Sequence, residues 1–577
     1  MPAQSRARTI LEIVIALLIV LALGGLGLYA AGPRIRQAMS GVTGEEALLE
    51  QIKGVGALLY LRLTTKPLDT APYEPIRYSG LSPYGINVFL EQEVDPQVID
   101  QSLALIADAG FQWIRQEFPW EAIEISAKGD YWDHKWDVSA WERYDLIVDR
   151  AEVHGLQVIA RLDNPPAWSR AIGNEPGWEL APPDDLDDYG DFVEAVVARY
   201  KGRIRYYQIW NEPNIYPEWG DQPADPAAYV ALLKVAYARA KAVDPDCVII
   251  AAGLAQTTEE TPPEFGPRNV SDLLFLERMY DAGLQGHFDV MGAQVYGLWT
   301  GPLDRRTSRD RSNFSRPQML RQIMVQRGDA DKPIWATEIG WNSIPLNSPA
   351  PPNYGRVSEE QQAQYAVQAY QRAAQEWPWM GIMNYWFFKR ASDAETNQSW
   401  YYFRMFEPDL TPLPVYGSLS ELANRPPAVQ IGYHQEDHWA LHYEGPWRHL
   451  DDEGAVLGQY ALGQPGATLQ FTFSGTSLQL ALREVDTIGS VRVEIDGQSR
   501  RLRIPWSAPD EGSPLIPLAS GLDDCEHAVR LTVEDGPLHL DGILVKRQKG
   551  PRWLLIPLAL LIVAALIMAR KKASQPC

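Results

Sequence analysis

From about Tyr84 to Asn424 the chain repeats one pattern, a short apolar run rich in β-branched residues followed by a longer amphipathic segment. Short apolar runs alternating with stretches of helical period are the mark of parallel β/α units. Eight runs can be counted: Gly85 to Phe89, Trp113 to Gln116, Gln157 to Leu162, Arg205 to Asn211, Cys247 to Ala252, Asp289 to Tyr296, Pro333 to Glu338 and Gly381 to Phe387. The segments between them begin as helices do. Asp95 precedes Pro96, an N-cap followed by proline at the first helical position, and Ser358 with Gln361 has capping-box spacing. Eight such units predict an α/β fold closed into a (β/α)8 barrel over 81–426, because an open doubly wound sheet usually has fewer strands.

After Asn424 the period changes to strict alternation, as in Leu469, Phe471, Phe473 and Val491, Val493, Ile495. The pairs Asp496-Gly497, Asp535-Gly536 and Asp541-Gly542 read as tight turns, so 427–548 is expected to be an antiparallel β-sandwich. Residues 33–80 read as a connector. Both ends are apolar: Ile13 to Ala31 and Trp553 to Ala569 are each long enough to span a bilayer. They predict a transmembrane anchor within 1–32 and a transmembrane helix at 553–569. For the first, a cleaved signal peptide is the alternative, with Arg6 and Arg8 as its basic region.

A net charge of −22 excludes a nucleic-acid partner, which would need clustered Lys and Arg. Cys247, Cys525 and Cys577 are too few and too scattered for a disulfide framework or a zinc site. No histidine falls in an H-E-x-x-H pattern, and the Asp184 to Asp191 run lacks calcium-loop spacing. The expectation is a protein without metal, cofactor or protein partner.

Two glutamates stand where a barrel keeps its chemistry, at the C-terminal ends of strands. Ile209-Trp210-Asn211-Glu212-Pro213-Asn214 puts Glu212 at the end of the fourth, and Ile334-Trp335-Ala336-Thr337-Glu338-Ile339-Gly340-Trp341 puts Glu338 at the end of the seventh. This combination resembles the clan A glycoside hydrolases, of family 5 or family 39 type. The resemblance implies a retaining mechanism, with Glu212 as general acid/base and Glu338 as nucleophile, working through two carboxyls about 5 Å apart. It also implies that Asn211 bonds the substrate 2-hydroxyl, that Arg115 keeps the nucleophile ionised, that Tyr296 bonds it, and that Trp386 floors the reacting sugar. Trp168 and Trp341, with Trp120, Trp219 and Trp299, are candidate subsite walls, since sugar C–H faces stack on aromatics. Two positions depart from the pattern: Gln294 stands where many relatives have His on strand six, and strand three ends in Asp163-Asn164, which weakens a family 5 cellulase reading.

Arg305, Arg306, Arg309, Arg311 and Arg316 follow strand six. They read either as a solvated basic loop or as a site for anionic sugars, because guanidinium groups bind carboxylates bidentately. The sandwich resembles galactose-binding-like carbohydrate modules, with Trp439, Tyr443 and Trp447 as candidate ligands, though a spacer is an equal reading. The function expected is a membrane-anchored, extracytoplasmic retaining glycosidase acting on a poly- or oligosaccharide. The alternatives are a transglycosylase and a non-catalytic surface carbohydrate-binding protein.

Overall fold

The computed structural model describes residues 32–33, 35–483, 489–504 and 515–548. The chain divides into two compact units between Pro426 and Pro427. In the first, β1 (Tyr84–Val88), β2 (Trp113–Glu117), β3 (Gln157–Leu162), β4 (Tyr206–Ile209), β5 (Val248–Leu254), β6 (Val290–Gln294), β7 (Ile334–Ile339) and β8 (Met380–Tyr385) form a closed barrel in sequence order. Every neighbouring pair is parallel, including β1 with β8. Helices cover the outside, and their starts follow the local chemistry. Asp95 accepts from the Gln97 amide at 2.8 Å, and Ser358 and Gln361 form the reciprocal capping box ahead of Glu359–Glu376.

The barrel interior changes character along its axis, because every second residue of a strand points inward. Near the N-terminal ends Trp113, Ile159, Tyr206, Val290, Trp335 and Ile382 make an apolar plug. Two residues further along the strands stand Arg115, Arg161, Gln208, Thr337 and Asn384, with Asn87 on β1. One layer higher the core has become a polar platform. Gly253 belongs to it by absence of a side chain, since a Cβ there would lie 2.0 Å from Thr337 Oγ1.

β4 and β8 stop two residues short of their predicted ends. After β4 the chain takes positive φ at Trp210 (69°) and Glu212 (41°), which no strand residue does. This turn throws Glu212 out of the sheet and over the barrel mouth. The stretch 33–80 is more than a connector: it contains the helix Leu48–Thr64, and Thr43 O and Glu45 accept from Arg306 in the loop after β6.

The second unit is a mainly antiparallel, sandwich-like sheet built around two long strands, Thr468–Leu482 and Leu515–Asp535. Leu469, Phe471, Phe473, Val491 and Val493 are buried together, as their alternation requires. Asp496-Gly497 is a hairpin turn with φ of 49° and 78°. Asp541-Gly542 is not a turn. It lies inside Leu538–Lys546, and Gly542 is there because a Cβ would stand 2.5 Å from the Tyr433 hydroxyl.

The expectation of membrane-spanning segments is corrected. Among the described residues no helix is long and apolar enough to cross a membrane. The helix Leu48–Thr64 carries Glu50, Gln51, Lys53 and Arg62. The runs 13–31 and 553–569 themselves lie outside the described residues.

Candidate active site

Arg115, at the inner face of β2, organises the barrel mouth. Its Nη1 donates to Glu338 Oε1 at 3.2 Å and to Asn87 Oδ1 at 2.6 Å, Nε donates to Gln208 Oε1 at 2.8 Å, and Nη2 donates to Asn211 Oδ1 at 3.0 Å. Four acceptors on three other strands or strand ends thus fix one planar group that is 2% exposed. The Tyr296 hydroxyl donates to the other oxygen of Glu338 at 2.5 Å. Burial and the Glu338 charge hold the phenol well above its usual range, so it remains a donor. Glu338, itself 5% exposed, therefore presents a carboxylate with both oxygens bonded and one orientation.

Glu212 faces it from the end of β4. Burial, then the charges of Glu338 and Glu218, push its carboxyl well above the ordinary range, against the opposing effect of the Gln294 amide and Arg115. The shift favours the protonated, proton-donating form of Glu212. The Thr337 hydroxyl orients the Gln294 side chain by donating to its Oε1 at 3.0 Å. Asn211 uses its oxygen on Arg115, and its Nδ2 has no partner among the described residues, leaving a donor beside Glu212.

Of the aromatic candidates, Trp386 is half-buried in a cluster with Phe89, Phe387, Phe403 and Tyr296, so it shares a wall with the tyrosine that touches Glu338. Trp168 is partly buried, edge-on to Trp120 at 5.5 Å, and its indole donates to Glu124 O. Trp341 is corrected: it is 0% exposed, donates to Thr300 O at 2.8 Å and packs on Phe314 and Tyr365. Trp120 and Trp219 are likewise core, whereas Trp299 is exposed. In the β-domain, Tyr443 and Trp447 pack edge to face and spend their polar atoms on Glu436 O and Thr468 O, so neither offers a free polar tip to a ligand.

The arginine loop is corrected as well. Arg305 pairs with Glu376, Arg306 with Asp304 and Glu45, Arg309 with Glu260 and Glu277, Arg311 with Asp304, and Arg316 with Asp272 in full burial. These cations staple neighbouring segments. Carboxyls gather around Arg115 and Arg161 at the mouth: Arg161 holds Glu117 at 2.7 Å and Asp163 at 3.0 Å, and burial pushes Asp163 up to about 7 and Glu218 up to about 8. Arg305→Gln with Arg309→Gln is expected to change KM for uronides and for neutral aryl glycosides by the same factor, about twofold at most, since exposed pairs contribute little. A selective rise for uronides in steady-state assays would restore anionic recognition.

The sequence reading missed Asn87, Gln208 and Thr337. Asn87 and Gln208 are each a lone polar residue at an inward position of a strand otherwise apolar, which is the signal that could have found them, and Thr337 stands beside Glu338 on its strand. Tyr296→Phe removes one bond to a buried charge and is expected to lower kcat about 10- to 100-fold with the fold intact. Single-turnover kinetics and circular dichroism check it.

A closed parallel barrel with glutamates at the mouth of its fourth and seventh strands is the class of fold and site found in the clan A glycoside hydrolases. No family model matches the chain. Among curated proteins, a stretch of 119 residues is 26% identical to the chloroplastic β-glucosidase-like SFR2 of Oryza sativa subsp. japonica, covering 20% of this chain and 18% of that protein. Among solved structures, a family 39 glycoside hydrolase from Bacteroides cellulosilyticus WH2 is 20% identical with a TM-score of 0.45, over 80% of this chain and 82% of the other. A glucosidase from Croceicoccus marinus is 13% identical, also with a TM-score of 0.45, over 81% and 98% of the two chains. These likenesses are distant, and the resemblance to that class is carried by the barrel and its two glutamates.

Proposed function

We propose that the chain is a retaining O-glycosidase in which Glu338 is the nucleophile and Glu212 the acid/base. The observation that carries this reading is the asymmetry of the pair. One carboxyl is held by a guanidinium and a phenol, and the other is pushed towards its protonated form by burial and by its neighbour's charge.

The steps follow from that asymmetry. Glu212 gives its proton to the glycosidic oxygen as the C–O bond breaks, and Glu338 attacks the anomeric carbon from the opposite face. Once Glu338 is esterified its charge is gone, so the second-largest influence raising Glu212 disappears. Glu212, now a carboxylate, takes a proton from water as that water displaces Glu338. On this reading the Asn211 amide bonds the 2-hydroxyl during both displacements, and Trp386 supports the ring.

The arginines after β6 are spent on carboxylates of this chain, which supports a neutral rather than an acidic sugar. The barrel on this reading works outside the cytoplasm, where poly- and oligosaccharides are met; protease accessibility of the barrel in intact cells tests that placement. The activity itself is tested with a panel of neutral aryl β-glycosides, following the anomer released by proton NMR. First-formed product of retained configuration is expected, and inverted product would overturn the mechanism.

A further inference from the structure

The β-domain brings a thiol, an imidazole and a carboxylate into line. Cys525 and His527 lie two residues apart on Leu515–Asp535, so they project from one face of the strand. Cys525 Sγ is 3.6 Å from His527 Nε2, and His527 Nδ1 is 2.7 Å from Asp496 Oδ2. Asp496 comes from the hairpin turn of two other strands and is held firmly there. Its Oδ1 accepts from the Ala528 amide at 3.0 Å, and its own amide donates to Ala528 O at 3.1 Å. The carboxylate thus has one position against the ring.

His527 Nε2 also lies 2.9 Å from the Asp523 carbonyl. A ring with a carboxylate at one nitrogen and a carbonyl at the other donates from both, which is the imidazolium form. Burial opposes that charge, but the bonds to Asp496 and Asp523 outweigh it and raise the imidazole above its ordinary value. The Asp523 carboxylate acts on the ring in the same sense as Asp496. The Phe473 ring stands 5.2 Å away across the strand pair, Asp524 is engaged by Arg547 at 2.7 Å, and Glu526 alternates to the other face. Cys525 is exposed whereas His527 is 5% exposed, so the sulfur meets solvent and the cation is shielded behind it.

We propose that Cys525 is a reactive thiol, activated by His527 and Asp496, that exchanges with low-molecular-weight disulfides to place a mixed disulfide on the β-domain. The Sγ thiolate attacks one sulfur of the small disulfide and forms a new S–S bond, while the reagent's own S–S bond breaks. The departing thiolate takes its proton from the His527 imidazolium or from water. One disulfide is consumed and one is made, so the small disulfide is itself the oxidant. A cation beside the sulfur favours the thiolate, which is the nucleophilic form. Cys247 does not share this chemistry: it is buried, and burial pushes its thiol up to about 12.

The test uses the full chain with Cys577→Ser, reacted with the aromatic disulfide dithiobis-nitrobenzoate across a pH series. An unassisted thiol of pKa about 8.5 loses about 75-fold in rate between about pH 8 and about pH 6. The parent chain is expected to lose less than about tenfold over that range. His527→Gln removes the charge and is expected to restore the full dependence, with Asp496→Asn intermediate and Cys525→Ser releasing no thionitrobenzoate. A parent chain that itself loses about 75-fold, or a His527→Gln chain with the parent's profile, overturns the proposal. The parent profile needs no substitution at the cluster, so a variant that fails to fold leaves the question decided.

Discussion

Glu338→Ala is expected to abolish turnover of every substrate, with kcat falling on the order of 10⁵-fold or more, because on the proposed mechanism both displacements run through that carboxylate. Added azide can then enter the vacated space and attack the anomeric carbon once, giving a glycosyl azide of inverted configuration. Glu212→Ala has a different signature. Loss of the proton donor costs on the order of 10²- to 10⁴-fold for poor leaving groups, yet activated aryl glycosides, which depart unprotonated, still form the intermediate. Azide should rescue this variant with retained product, since it attacks the glycosyl-enzyme. The glycosyl azide configurations, read by NMR, separate the two roles, and the reverse pattern would exchange them. One titration is independent of turnover. In Glu338→Gln the charge that pushes Glu212 upward is gone, so Glu212 should titrate lower than in the parent, though still raised by burial. Carboxyl-carbon NMR can follow it in the inactive protein.

Arg115→Met is expected to damage stability and chemistry together. The guanidinium is 2% exposed and serves Glu338, Asn87, Gln208 and Asn211 at once. Removing it leaves a buried carboxylate and three polar side chains without their partner, which costs about 3–5 kcal/mol by analogy with other broken buried pairs. A lower denaturant midpoint for the barrel transition reads this out. Misplacement of Glu338 should lower kcat/KM on the order of 10²-fold or more. The pH profile carries a further sign. Arg115 is one of the groups that lower Glu212, so without it Glu212 keeps its proton to higher pH, and the alkaline limb of kcat/KM moves upward. Arg115→Lys should rescue little, because an ammonium cannot reproduce a planar fork that bonds through three nitrogens. Full rescue by lysine would reduce Arg115 to a point charge.

The parts of this protein that its sequence alone determined are those encoded over a few neighbouring residues. Eight strand-and-helix units, the caps at Asp95 and Ser358, and the alternation around Leu469 and Val491 are local periodicities, and each recurs in the structure. Glu212 and Glu338 were legible for the same reason, since a strand end is a local feature and a barrel gathers all its strand ends at one mouth. What only the tertiary structure decided are the partners. Arg115 and Glu338 are 223 positions apart, and nothing near Arg115 in the chain announces that Asn87, Gln208 and Asn211 will share its guanidinium. Arg305, Arg306, Arg309 and Arg316 looked free because Glu376, Glu45, Glu260 with Glu277, and Asp272, which pair with them, are remote in sequence. Trp341 and Trp386 are alike as letters beside strand ends, yet one is sealed against Phe314 and the other borders Tyr296. The Cys525, His527 and Asp496 cluster closes across 31 positions through a hairpin turn packed on a neighbouring strand. Periodicity is a property of the chain with itself, whereas charge compensation and burial depend on distances through space that only folding sets.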